Sequence, residues 1–93
     1  MILSFGNKDN EKIWHGETIR GLSLSLQENA RRKLRMLNNS IGLNDLTLPP
    51  SNRLKKLKGT LREFYSIRLN DQWRLIFKWE DGNAREVEIT DYH

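Results

Sequence analysis

Apolar residues recur along this chain with two different periods, and the change of period divides it. Residues 2–5 form a short apolar run that reads as a strand, and residues 10–15 read as one or two helical turns closed by Gly16, the residue type that most often ends a helix. Ser25 and Glu28 have the spacing of a capping box, in which a hydroxyl and a carboxylate each satisfy an orphan amide, so a helix is expected from about Leu26. Leu26, Ala30, Leu34, Leu37 and Ile41 then follow at steps of three and four as one apolar stripe, with Arg31, Arg32, Lys33 and Arg35 largely off it. Gly42 closes the pattern. The stretch from there to Asn52 contains Pro49 and Pro50 and is expected to be a connecting loop.

From Tyr65 the period falls to two. Tyr65, Ile67 and Leu69, then Trp73, Leu75, Phe77 and Trp79, then Val87 and Ile89 predict three strands of a meander. All these residues sit at odd positions, so the pairing must keep odd opposite odd to make one apolar face. Three-residue loops at 70–72 and 81–83 meet that condition, whereas a two-residue turn at Asp81-Gly82 would carry Glu86 and Glu88 into the core. The expected register sets Ile67 beside Leu75 beside Ile89 and, on the opposite face, Arg68 beside Arg74 beside Thr90. Like charges side by side destabilise a sheet, so the arginine pair calls for nearby acids or an anion lying across it.

Ninety-three residues suit one compact domain, taken here as 1–93. Sixteen Lys and Arg against twelve Asp and Glu give a net charge of +4, which favours polyanionic partners. The most basic segment is 53–59, with Arg53, Lys55, Lys56 and Lys58 and no acid. The absence of cysteine excludes disulfides, thiol nucleophiles and thiolate metal sites and fits a reducing cytoplasm. The N-terminal apolar run is too short for a signal peptide or a membrane span. With two histidines and none of the zinc-protease or glycine-rich nucleotide motifs, metal and nucleotide chemistry start low, and no cofactor is expected.

The polar face of the meander would gather Arg68, Arg74, Tyr92 and His93, joined by the basic segment if it folds alongside. Such a collection suits RNA. Cleavage by the RNA's own 2′-hydroxyl needs no protein nucleophile, only a proton acceptor, a proton donor for the leaving oxygen and cations for the charge on the phosphorane-like transition state. Arginine offers a phosphate two parallel hydrogen bonds, an aromatic ring stacks on an unpaired base, and Asp91, Tyr92 and His93 are candidates for the proton steps. Each feature also has a plain structural reading. The arginines would be a solvated face balanced diagonally by Glu86 and Glu88, the lysines a solvated loop, and His93 a chain end.

Taken together, Asn52-Arg53-Leu54, Leu57-Lys58-Gly59, Tyr65-Ser66-Ile67-Arg68, Asn70-Asp71-Gln72-Trp73-Arg74-Leu75 and Asp91-Tyr92-His93 resemble the HigB toxins of the RelE/ParE superfamily. The resemblance implies a RelE-like α+β fold, a small antiparallel or mixed sheet in the order β-α-α-β-β-β with two helices on one face. It implies a ribosome-dependent messenger RNA endoribonuclease, metal-independent and without cofactor, acting as the toxin of a type II toxin–antitoxin system. The partners implied are a helix-turn-helix, HigA-like antitoxin, operator DNA reached through that antitoxin, the ribosome and its messenger RNA. Carried over by position, Lys58 and Arg74 would stabilise the scissile phosphate, Asp91, Tyr92 and His93 would form a terminal catalytic group, and Lys55, Lys56, Arg62 and Arg68 would bind RNA. One position departs: some members of the family carry a histidine where Lys55 stands. Two other functions remain open. The ParE branch shares the fold and inhibits DNA gyrase, which would need neither a phosphate site nor the terminal group. An inert relative would bind RNA or the antitoxin without cutting, and Lys55 keeps that reading alive.

Overall fold

The computed structural model describes residues 1–91, so Tyr92 and His93 lie outside the described residues. Two helices, α1 (Lys8–Trp14) and α2 (Leu24–Asn39), precede four strands, β1 (Lys55–Lys56), β2 (Phe64–Arg68), β3 (Trp73–Glu80) and β4 (Asn83–Asp91). The strands form one antiparallel sheet in the order β1-β2-β3-β4. Residues 2–5, expected as a strand, make only isolated parallel bridges from Ile2 to Ala84 and from Phe5 to Val87 along the free edge of β4. The two-residue β1, which carries no apolar alternation to betray it, closes the other edge.

The helix α1 starts earlier than expected because Asn7 caps it, its side chain accepting from the Asn10 amide; Gly16 follows its end at φ +90°. The start of α2 also differs. Ser23, not Ser25, is the cap, its hydroxyl accepting from the Leu26 amide at 3.1 Å. An earlier start turns Gln27 inward, where its amide donates to the Ile19 and Leu22 carbonyls and accepts from the Ile19 amide, pinning the preceding loop to the helix. Ser23→Ala should therefore cost about 1 kcal/mol in urea unfolding and Ser25→Ala only a few tenths; the reverse order would restore the cap to Ser25.

Leu26, Ala30, Leu34 and Leu37 are buried as the stripe requires, but Ile41 is 85% exposed. The helix stops at Asn39, so the i+4 projection no longer applies, and the Asp45 carboxylate takes the Ile41 and Gly42 amides instead. Those two bonds hold the Asp45 carboxyl below the usual carboxylate range. The connecting loop contains two short 3-10 turns, Leu43–Thr47 and Pro50–Asn52, and buries Leu46 completely.

In the sheet, Ile67 pairs with Leu75 and Leu75 with Ile89, and Arg68, Arg74 and Thr90 line up on the other face, as expected. The first hairpin has the expected three-residue loop, in which Asn70 Oδ1 accepts from the Gln72 and Trp73 amides. The second does not. Glu80 pairs with Asn83 across a two-residue Asp81-Gly82 turn with both φ values positive, the geometry that two-residue hairpins favour. Parity survives because the register shifts by one residue between Ile76 and Lys78, at a bulge with Glu86 at φ 51°. Ala84 faces the core on the turn side of the bulge and Val87 and Ile89 on the other. Glu86 is released to pair with Lys78 at 2.7 Å, and Glu88 accepts from Asn7. The helices pack on this odd face, around Ile13, Leu34, Leu37, Ile67, Leu75 and Phe77. Among the described residues no helix is long and apolar enough to cross a membrane.

Candidate active site

The face of the sheet turned away from the helices holds a cleft of about 400 Å³, lined by Lys55, Lys58, Ser66, Arg74, Thr90 and Asp91 with Leu57, Leu61 and Ile76. Its size suits a single small group rather than a whole duplex. The strand pairing builds it. Lys55 lies opposite Ser66, Ser66 opposite Ile76, and Arg74 opposite Thr90, so side chains from four strands share one surface. The loop after β1, carrying Leu57, Lys58 and Leu61, sets the rim.

Arg74 is the best-held cation in the cleft. Only 9% of it is exposed, its Nε donates to the Ser66 hydroxyl at 2.9 Å and its Nη2 donates to the Arg53 carbonyl at 2.9 Å. Ser66 is fully buried, and Arg53 takes a left-handed backbone (φ 46°) as it ends the Pro50–Asn52 turn. The turn is fixed in its place by Asn52. This buried side chain donates to the Leu46 and Leu48 carbonyls at 3.2 and 3.3 Å and accepts from the Lys33 ammonium. Burial, reinforced by the neighbouring Arg32 charge, pulls the Lys33 ammonium below its ordinary value. Asn52→Ala should cost about 3 kcal/mol in urea unfolding, since two loop carbonyls and one ammonium lose a buried partner; a cost below about 0.5 kcal/mol would mean that the loop is held otherwise.

Of the two neighbouring arginines, Arg68 has the expected nearby acid, which is Asp71 and not Glu86 or Glu88. Arg74 pairs with a hydroxyl and a carbonyl, while Glu86 and Glu88 are engaged elsewhere. Of the residues singled out from the sequence, Lys55, Lys58, Arg74 and Asp91 come together in the cleft. Asp91 lies opposite Trp73 and accepts from Gln72 Nε2 at 3.2 Å, tying the end of β4 to the first hairpin. Three residues do not join them. Lys56 lies over the Tyr65 ring, 4.9 Å from its centroid, and donates to the Arg62 carbonyl. Arg62 is exposed at the end of the 3-10 turn Gly59–Leu61. Arg68 lies in a separate groove beside α2. Tyr92 and His93 lie outside the described residues.

Sequence reasoning did not find Ser66 or the apolar rim. Ser66 had a signal in its register, since it sits diagonally from Arg74 on the same face. Ile76 had none because it breaks the alternation of β3, and Leu57 and Leu61 lie outside the strands. Among the described residues no three His, Cys, Asp or Glu side chains are grouped to hold a metal ion.

A four-stranded antiparallel sheet backed by two helices is also the frame of known proteins. Similar folds are found in the YoeB–YefM complex from Staphylococcus aureus, with a TM-score of 0.64 at 19% identity covering 100% of this chain and 95% of that one. YafQ from E. coli strain BL21(DE3) has a TM-score of 0.64 at 18% identity, covering 98% and 91%. Toxin HigB-1 of Vibrio cholerae serotype O1 is 42% identical over 93 residues, 99% of this chain and 98% of the relative. An uncharacterized protein of Haemophilus influenzae is 37% identical over 78 residues, 84% of this chain and 77% of that protein. Residues 3–93 match the profile of the HigB-like toxin family, described as the RelE-like toxin of type II toxin–antitoxin system HigB. With the fold, the full-length identity and the family profile in agreement, this chain belongs to the HigB-like, RelE-type toxins of type II toxin–antitoxin systems.

Proposed function

We propose that this toxin is an endoribonuclease that cuts messenger RNA on the ribosome, using the RNA 2′-hydroxyl as nucleophile and no metal ion. The observation that carries this reading is Arg74, a guanidinium fixed by Ser66 and Arg53 in the floor of a basic cleft before any substrate arrives. A preorganised cation of this kind stabilises charge that develops on a phosphate in the transition state, where a mobile surface arginine would first have to be ordered. Lys58 and Lys55 at the rim add positive charge.

In the proposed reaction the 2′-oxygen attacks the adjacent phosphorus while the bond from phosphorus to the 5′-oxygen breaks, leaving a 2′,3′-cyclic phosphate and a free 5′-hydroxyl. One group must accept the 2′ proton and another must deliver a proton to the 5′-oxygen. Among the terminal residues His93 is the best suited, because an imidazole changes charge near physiological pH. Tyr92 would stack on a base or assist, and Asp91 would position the terminus through its bond from Gln72. Lys56, Arg62 and Arg68 would bind RNA outside the cleft. A HigA-like antitoxin with a helix-turn-helix, linking the toxin to operator DNA, is the proposed partner; a neighbour of like fold was solved as a heterotetrameric YoeB–YefM toxin–antitoxin complex.

The test is to incubate the purified protein with a defined messenger RNA, with and without translating ribosomes, and to map new 5′ ends by primer extension. New ends only when ribosomes are present are the expected result. No cleavage under either condition, with gyrase supercoiling inhibited instead, would overturn it.

A further inference from the structure

Asn52-Arg53-Leu54 carries part of the family resemblance, yet the proposed reaction gives the segment no part. Arg53 is one of three non-glycine residues with positive φ among the described residues, at φ 46° and ψ 55°. The other two, Asp81 and Glu86, belong to the turn and the bulge of the β3–β4 hairpin, where such backbone shapes the sheet. Arg53 serves no hairpin. It ends the Pro50–Asn52 turn, and its carbonyl accepts from Arg74 Nη2 at 2.9 Å. We propose that Arg53 through its left-handed main chain, and Asn52 through the side chain that fixes it, are positioning residues for RNA cleavage, setting the plane in which the Arg74 guanidinium meets the phosphate. This role rests on the RNA-cleavage reading.

The carbonyl of a residue swings with that residue's own ψ, so a right-handed or extended Arg53 would carry its oxygen away from Arg74. A residue with a Cβ keeps left-handed backbone only where its surroundings over-determine it, and such residues gather at functional sites. Here the surroundings do so from both sides. Upstream, the Asn52 amide donates to the Pro49 carbonyl at 3.0 Å and the Arg53 amide to the Pro50 carbonyl at 3.1 Å. The fully buried Asn52 side chain donates to the Leu46 and Leu48 carbonyls and accepts from Lys33. Downstream, Lys55 pairs with Ser66, the residue whose hydroxyl accepts from Arg74 Nε at 2.9 Å. The two acceptors of Arg74 are thus tied to each other through the β1–β2 pairing.

Two acceptors do what one cannot. A single bond at Nε leaves the planar guanidinium able to pivot about it, whereas a second on Nη2 fixes the tilt of the plane as well as its place. Orientation of this kind is worth rate because a displacement of about 1 Å at the reacting centre can cost a factor of about 10². The exposed Arg53 side chain is not needed for it, since the carbonyl alone makes the contact.

Asn52→Ala is expected to weaken the fold, so position 53 carries the test. Arg53→Gly accepts left-handed backbone without steric cost, Arg53→Val resists it and Arg53→Pro excludes positive φ, while all three remove the same charge. Each full-length variant is melted to show that it is folded, then assayed for single-turnover cleavage of messenger RNA over a range of ribosome concentrations. Expected is a maximal rate within about threefold of wild type for Arg53→Gly and about tenfold to a hundredfold lower for Arg53→Val and Arg53→Pro, with half-saturation alike in all three. In an Arg74→Ala background the gap between glycine and valine should vanish. Proton–nitrogen NMR of the Arg74 Nε–H, assigned by its absence in Arg74→Ala, should show slow exchange in Arg53→Gly and fast exchange in Arg53→Val. A folded valine or proline variant that cleaves as fast as the glycine variant would overturn the role. So would a gap that persists without Arg74, one confined to half-saturation, or an Nε–H equally protected in both variants. If wild type leaves all RNA uncut, the nuclease reading fails and takes this role with it; cut RNA with equal rates at position 53 sinks this role alone.

Discussion

Replacing Arg74 by alanine should lower the single-turnover rate of ribosome-dependent cleavage by about 10²–10³-fold, the usual loss when one preorganised charge-stabilising donor is removed. Ribosome affinity should change far less, because the cation meets charge that exists mainly in the transition state. The substitution also leaves the buried Ser66 hydroxyl and the Arg53 carbonyl without their donor, so a stability loss of about 1–3 kcal/mol should accompany it. Rates must therefore be normalised to the folded fraction. Arg74→Lys should recover little, since an ammonium cannot hold Ser66 and Arg53 at once and still offer a phosphate two parallel bonds. An unchanged cleavage rate in folded Arg74→Ala would remove this residue from the mechanism, and with it the main support for the nuclease reading.

His93→Gln should slow cleavage by about 10²-fold or more, the range expected for loss of a general acid or base. Glutamine retains hydrogen-bonding capacity near the ring's size but cannot exchange a proton near neutral pH. The wild-type rate should accordingly show a limb between about pH 5 and 8 that is missing in the variant. A fully active, well-folded His93→Gln toxin would pass the proton steps to other groups. Lys55, which lines the same cleft and stands where the family resemblance places a histidine in some members, would then be the next group to test.

The strands were legible in the sequence because a half-buried antiparallel strand must alternate. Parity, with loop lengths chosen to keep it, set Ile67 beside Leu75, Leu75 beside Ile89 and Arg74 beside Arg68, a register the bulge in β4 preserves although the second turn is one residue shorter. The stripe Leu26, Ala30, Leu34 and Leu37 announced α2 for the same kind of reason, a periodic pattern that only one geometry turns to one side. Basic charge and the choice of Arg74, Lys58, Lys55 and Asp91 were also within reach of the sequence and its resemblance to a family, and these four do share a cleft.

What the sequence left open is what depends on contacts between distant segments. The choice of Ser23 over Ser25 as the cap follows from where Gln27 must point to hold residues 19–22. The second turn could shorten to two residues only because a bulge at Glu86 absorbs the lost residue, and Ser4 accepts from the Glu86 amide at 2.9 Å across 82 positions of chain. The two arginines are equal in the sequence, and tertiary structure separates them. Ser66 and the left-handed Arg53 hold Arg74 in the cleft, while Asp71 and the α2 groove take Arg68. Local pattern determines which residues face inward because that preference is repeated at every turn and every second strand residue. The partner of a single buried polar group is set once, by the folded chain, and the site depends on such single contacts.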